Sequence, residues 1–217
     1  MTALRIIPAA LAAALAFGPF GLAAQTPDQG ALDARVKRFL EERAGRWRDL
    51  NVPASDGQLL HDLIVKHGYT RALEIGTSTG HSGIWIAWAL SKTGGKLITV
   101  EIDEARHKEA LANFEAAGLS AFIDARLGNA HDIVPALGGP FDFVFSDADK
   151  DWYPNYFRAV FPKLTTGGCY TTHNISQRGR GTAGSRAYLE LLRSTPGAET
   201  TVDERGGGMA ITFKRGT

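Results

Sequence analysis

Two rhythms of apolar positions alternate along the chain. Short apolar runs, too short for a buried helix, read as strands at 71–75, 96–102, 121–127, 141–148 and 169–173. Between them, apolar residues recur every three or four positions, the spacing of one helix face. Residues 31–49 show it first, with Leu32, Val36, Phe39, Leu40 and Trp47. A turn-rich link at 51–57 follows, and Ser55 or Asp56 is placed to cap a helix running to about His67. Further helices are expected at 80–92, at 104–117 with Gly118 just past the end, from near Asp132 with Pro135 in the first turn, at 152–161 and at 185–193. Two last strands, 198–204 and 209–214, flank Gly206-Gly207-Gly208. Strands alternating with helices predict an α/β fold: a doubly wound, mostly parallel sheet with helices on both faces and an antiparallel C-terminal strand.

Composition narrows this little. The chain has 217 residues, enough for one domain with a full core, and its 44% hydrophobic and 22% charged content is ordinary. A net charge of +1 with no basic stripe argues against nucleic acid as a partner. The lone Cys169 lies in an apolar run and reads as a core residue. The N-terminus differs. After Arg5, an uncharged Ala/Leu-rich stretch runs to Ala24, with small residues at Gly21, Ala23 and Ala24. Residues 1–24 are expected to be a signal peptide cut near Ala23 or Ala24, which makes the protein exported, periplasmic or secreted. An uncleaved anchor is the alternative, weakened by Pro8, Gly18, Pro19 and Gly21. Residues 25–217 form the single domain, with no stable membrane insertion after cleavage.

Candidate chemistry concentrates where the first two strands end. Residues 71–82 carry Glu74-x-Gly76-x-x-x-Gly80, a strand ending in an acid and a glycine turn that opens a helix. A pyrophosphate-binding fingerprint would carry Gly-x-Gly-x-x-Gly, and an acid so near would repel phosphate. The same acid suits the cationic amino group and sulfonium of S-adenosylmethionine. Glu101 ends the next strand, where it is placed to accept both ribose hydroxyls. The plain alternatives are a solvated strand-end acid for Glu74 and a helix-terminal charge for Glu101, with Asp103 as the cap.

These segments resemble the class I S-adenosylmethionine-dependent methyltransferases, and among them the cation-dependent O-methyltransferases of the catechol and caffeoyl-CoA type. The resemblance spans roughly residues 50–215 and includes Glu74–Ser82, Asn51-Val-x-x-x-x-Gly57-Gln58, Gly128-Asn-Ala-His-Asp132 and, most specifically, Phe145-Ser-Asp-Ala-Asp-Lys-Asp-Trp-Tyr153. It implies a Rossmann-like fold. It implies cofactor contacts at Val52, Glu74, Gly76, Thr77, Gly80, Ser82, Glu101, Ala130, His131 and Asp147. A divalent metal is implied at Asp147 and at a later Asp-Asn pair, which here reads His173-Asn174. Replacing a carboxylate by imidazole shifts such a site from Mg²⁺ towards Mn²⁺, Fe²⁺, Ni²⁺ or Zn²⁺, or leaves it without metal.

The implied reaction is methyl transfer to a hydroxyl of a small, catechol-like aromatic. Asp147 and Lys150 are the implied catalytic residues, Lys150 as the base. An ammonium cannot accept a proton, so such a base needs its pKa lowered. Arg178 and Arg180, in the loop 175–184, and Trp47 are candidates to border the acceptor. The resemblance leaves a homodimer open. Two alternatives remain: a metal-independent methyltransferase, and an exported non-catalytic nucleoside-binding protein of the same fold.

Overall fold

The computed structural model describes residues 28–177 and 183–216, so the leader segment, Arg178 and Arg180 lie outside the described residues. Each expected strand forms: the inner strands carry the mainly apolar runs that a sheet covered on both faces demands, while β3 and β6, at the two ends of the sheet, are half-buried and more polar. They are β1 (Arg71–Ile75), β2 (Lys96–Glu101), β3 (Ile123–Leu127), β4 (Phe141–Ser146), β5 (Leu164–His173), β6 (Ala198–Asp203) and β7 (Met209–Lys214). The sheet order is β3-β2-β1-β4-β5-β7-β6, parallel from β3 through β5, with β7 antiparallel to both its neighbours. The chain winds outward from β1 in one direction, then crosses over to β4 and winds outward in the other.

Alternation along the strands divides the core. Leu73 and Ile75 of β1 and Val144 of β4 face α5 (Ala130–Ala136), α6 (Tyr153–Val160) and α7 (Ala183–Ser194), where they meet Val134, Phe157 and Leu192. Ala72, Phe143 and Phe145 face the other way, onto Leu60 and Ile64 of α2 (Ala54–His67) and Ile86 of α3 (His81–Thr93). A third layer forms where α1 (Gln29–Glu42) packs Val36 and Phe39 against Trp85, Trp88 and Phe114, the last from α4 (Glu104–Ala117). Cys169 is fully buried and unpaired, as its apolar run implied.

Several expectations about helix ends need correction. α1 stops at Glu42, and a turn carries the chain to Trp47. α5 starts at Ala130 because Asn129 caps it, accepting from the His131 N–H at 2.9 Å. Pro135 therefore falls in its last turn, not its first. β5 begins at Leu164, five residues early: the strand runs through the exposed Thr165, Thr166 and Gly167, which lack an apolar pattern, before Gly168 is buried. Neither Ser55 nor Asp56 caps α2, whose N-cap is Pro53 with no side-chain bond. Asp56 points inward and is only 2% exposed. Asp103 does cap α4, accepting from the Arg106 N–H at 2.9 Å.

The motif glycine Gly57 has a packing reason: a Cβ there would stand 2.2 Å from Trp85 Cδ1. The indole cannot swing away freely, since its Nε1 donates to His81 Nε2 at 3.1 Å. Gly57→Ala is therefore expected to cost about 1–3 kcal/mol of folding stability by overpacking α2 against α3. Urea denaturation of the two proteins checks this.

Candidate active site

Register alone assembles the site. Ile75 pairs with Val100 of β2 and with Ser146 of β4, and Ser146 pairs with Thr172 of β5. The next residues, Gly76, Glu101, Asp147 and His173, thus leave the carboxyl edge of the sheet at one level. This is also where the winding direction reverses between β1 and β4, the place where open α/β sheets form a ligand crevice. A cleft of about 400 Å³ opens there. Of the expected contacts, Gly76, Glu101, Ala130, His131 and Asp147 line it. Gly76 has φ +99°, and a Cβ on it would come 2.5 Å from the Asp147 carbonyl oxygen, so only glycine lets the two strand ends approach.

Glu101 is held rigidly. Its Oε2 accepts from the Ser78 N–H at 2.7 Å, and its Oε1 accepts from the N–H groups of Asp103 and Ile102 at 3.0 and 3.1 Å. Ser78 reaches it by adopting φ +48° in the turn after β1. Two donors fill the acceptor sites of Oε1, and a single one leaves Oε2 with a lone pair free to accept from a ribose hydroxyl. Beside it, Ile102 and Leu50 are 66% and 72% exposed and line the same cleft, with Val100, Ala130 and Tyr156 deeper in. The result is an anionic point on an otherwise apolar wall. His131 stacks on Trp152 with ring centroids 4.0 Å apart, and its Nε2 lies 3.2 Å from Asp149 Oδ2.

The remaining expected contacts lie elsewhere. Glu74 is neither a solvated strand-end acid nor part of the cleft lining. Its even position on β1 turns it beneath α3, fully buried, 3.0 Å from where a Cβ of Gly83 would stand. Its Oε2 accepts from Thr99 Oγ1 at 2.6 Å, and its Oε1 has no hydrogen-bond partner. Burial is the main cause that pushes its carboxyl up to about 7; the hydroxyls of Ser82 and Thr99 oppose the rise, while the Asp147 and Glu101 charges add to it. Thr77 Oγ1 meets Thr99 Oγ1 at 2.5 Å, one step further along the same buried chain. Gly80 caps α3 with φ +96° and lies against Phe114, and Ser82 is buried in the first turn of α3. Val52 is buried, and its carbonyl is 2.9 Å from His81 Nδ1. It borders a second cleft of about 370 Å³ with Trp47, His81 and Trp85. Trp47 serves both as that cleft's wall and as packing, stacked on His81 at 4.4 Å.

Lys150 is exposed, and its Nζ donates to Asn174 Oδ1. Asn174 adopts a left-handed φ of +58°, which asparagine tolerates. His173 lies between two acids: Nδ1 is 3.0 Å from Asp147 Oδ2 and Nε2 is 2.8 Å from Asp56 Oδ2. Burial alone would lower the imidazole's pKa, but the bonds to Asp147 and Asp56 outweigh it and raise it to about 9. Asp56 is held below the usual carboxylate range: burial would raise it, and His173 and the Gly207 N–H more than reverse this. Asp56 is a site residue that the sequence reading missed, as are Ser78, Leu50, Ile102 and Tyr156 of the cleft.

The donor set implied for a metal therefore does not fit one. Both His173 nitrogens point at carboxylates, and the Asn174 amide oxygen accepts from Lys150. Among the described residues, no group of three or more His, Cys, Asp or Glu is arranged to hold a metal ion.

Comparison with known proteins agrees with this architecture. The O-methyltransferase family model matches residues 27–193. The chain belongs to the O-methyltransferase family. It is 34% identical over 167 residues to a catechol O-methyltransferase of Niastella koreensis, covering 71% of this chain and 73% of that protein. It is 35% identical over 157 residues to caffeoyl-CoA O-methyltransferase 1 of Zea mays, covering 68% of this chain and 60% of that protein. Against a further plant relative, the Eucalyptus globulus caffeoyl-CoA O-methyltransferase 1, the match spans 51% of that protein's length. Among solved structures, the O-methyltransferase of Bacillus cereus in complex with SAH superposes with a TM-score of 0.72 at 28% identity, covering 84% of this chain and 91% of that one. An O-methyltransferase of Streptomyces achromogenes in complex with SAM gives 0.70 at 28% identity, covering 84% and 90%. This O-methyltransferase thus has the mostly parallel sheet of its family, with the antiparallel C-terminal pair.

The state of Glu74 gives a measurable consequence. A carboxyl raised in the folded state from 4.5 to about 7 contributes stability that is complete below pH 4.5 and lost as pH rises through 7. Glutamine keeps the neutral form. Glu74→Gln is expected to stabilise the ligand-free protein at pH 8 by about 1–3 kcal/mol, with the gain vanishing near pH 5. Urea denaturation at the two pH values measures it; a larger gain at pH 5 than at pH 8 would contradict the assignment.

Proposed function

We propose that this chain methylates a hydroxyl of a small phenolic, catechol-like acceptor, using S-adenosylmethionine bound in the Glu101 cleft. One observation supports this reading above the others: a carboxylate pinned by three backbone N–H groups, with a lone pair still free on Oε2, on an apolar wall. That combination suits a ribose hydroxyl on Glu101 Oε2 and a nucleobase against Ile102, Leu50 and Ala130. Gly76 and Asp147, at the other end of the cleft, suit the amino-acid part, with Asp147 as the anion nearest its ammonium. When bound, S-adenosylmethionine supplies an electrophilic methyl group on a sulfonium.

The rest falls to the protein. A phenol near pKa 10 is almost wholly protonated at pH 7, so its proton must leave as its oxygen bonds to carbon. Lys150, on the exposed rim beside Asp147, is the proposed acceptor of that proton, acting as the free amine. Asn174 fixes its Nζ through the hydrogen bond described above. The family likeness to catechol and caffeoyl-CoA O-methyltransferases supports a hydroxylated aromatic as acceptor. The leader-like residues 1–24 support export as part of the same reading. N-terminal sequencing of the exported protein is expected to begin at Ala24 or Gln25, following a cut after Ala23 or Ala24.

Calorimetry with SAH and a methyl-transfer assay over a catechol panel test this proposal. Glu101→Ala is expected to weaken SAH binding by roughly 10–100-fold, the loss of charge-assisted hydrogen bonds. Lys150→Ala and Lys150→Arg are both expected to lower kcat by about 10²–10⁴-fold, because a guanidinium does not give up a proton. Binding without turnover on any hydroxylated aromatic would identify a binding protein instead. Absence of SAH binding would reject the whole reading.

A further inference from the structure

Asp56 from α2, His173 from β5 and Asp147 from β4 form a buried chain behind the cleft. The N···O distances are 2.8 Å on the Asp56 side and 3.0 Å on the Asp147 side. A carboxylate can only accept, so both ring nitrogens donate and neither keeps a lone pair for an ion. The turn between β6 and β7 closes over this chain. Gly207 N–H donates to Asp56 Oδ2 at 2.8 Å, and a Cβ on Gly207 would stand 2.4 Å from His173 Nε2. A Cβ on Gly206 would stand 1.7 Å from Asp56 Oδ1. On the open side, Asn174 is engaged by Lys150. A divalent cation at such strand ends would draw carboxylates together and fix them. Here the imidazole does the same, tying α2 to β4 through two directional bonds.

We propose that the Asp56–His173–Asp147 bridge stands in for a divalent cation at this crevice, so that the protein binds no metal there. Resting on the methyl-transfer reading, a second part follows: the reaction is metal-independent, and His173 is a positioning residue that aims Asp147 at the cleft. One His173 nitrogen is committed to each acid, so loss of the ring unlinks Asp56 from Asp147, leaving Asp147 with the Tyr153 hydroxyl at 3.4 Å and Asp56 with the Gly207 N–H at 2.8 Å. His173→Asp would bring three carboxylates together, an oxygen-rich set that hard divalent cations favour.

Three measurements test the proposal, and the first two need no turnover. Titration of the full-length protein with Mn²⁺, followed by electron paramagnetic resonance, is expected to show no binding that Asp147→Asn removes. Binding that Asp147→Asn abolishes would overturn the proposal; binding unchanged by it lies elsewhere and agrees with the proposal. His173→Asp is expected to gain a melting-temperature rise of roughly 5–10 °C with saturating Mn²⁺, with no rise in the wild type. A folded variant with no metal response would overturn the substitution of ring for ion. Should that variant not fold, the wild-type titration still decides. The third measurement is turnover after chelation, expected to stay within 2-fold of the untreated enzyme; a drop beyond 10-fold that Mg²⁺ or Mn²⁺ restores would overturn metal independence. Failure to bind SAH would sink the methyl-transfer reading while leaving the metal titration interpretable.

Discussion

The parallel register of β2, β1, β4 and β5 is the constraint on which the site depends. Side chains on one level of a parallel sheet are set by hydrogen bonding alone, before any ligand contributes. Ile75 is shared by the pairs to Val100 and Ser146, and Ser146 pairs on to Thr172. A slip of one residue in any of these pairs would turn Glu101 or Asp147 to the opposite face. Both faces are packed, with Leu73 and Val144 on one and Ala72 and Phe143 on the other, so such a slip would put core residues out of place along a whole strand. The stability of the core and the geometry of the site are therefore one requirement.

Two acids that look alike in sequence behave differently because of what surrounds them. Glu101 and Glu74 lie at or next to strand ends, and both are almost fully buried. Glu101 is compensated by three backbone N–H groups, a strong set for a charged carboxylate. Glu74 has only the hydroxyls of Ser82 and Thr99 to oppose burial, so burial dominates and favours the neutral form.

Much of this was legible in the chain. The inner strands were readable because a sheet covered by helices on both faces needs mainly apolar runs, and α4 was readable because Asp103 and Gly118 mark its ends locally. The strand-end positions of Glu101 and Asp147 follow from the same runs. Period-two alternation also held the side of Glu74, opposite to Leu73 and Ile75, though its place next to the glycine turn invited a ligand role. Asp56 was not legible. Its partner His173 is 117 residues away, and nothing local separates an inward-pointing aspartate from a helix cap. The start of α5 was misplaced for a different reason: Asn129 capped a helix two residues earlier than the apolar spacing indicated, and Pro135 moved to the far end with it.

The exchange of an ion for an imidazole changes where catalysis must come from. A bound cation can contact the acceptor oxygen itself and lower its pKa; a shift of two units is worth roughly 2.7 kcal/mol. His173 cannot do this, because both its nitrogens are committed to carboxylates and the ring is buried behind Asp147. Its influence on the cleft passes through the carboxylate it holds. Deprotonation then falls to a group on the rim, and Lys150 is the one whose Nζ is already oriented, by Asn174. The bridge has a compensating property: two hydrogen bonds inside one chain involve no loss of an ion to solution and no dependence on its supply. For a protein proposed to work outside the cytosol, a site whose geometry is wholly encoded in its own side chains is independent of the metal content of its surroundings.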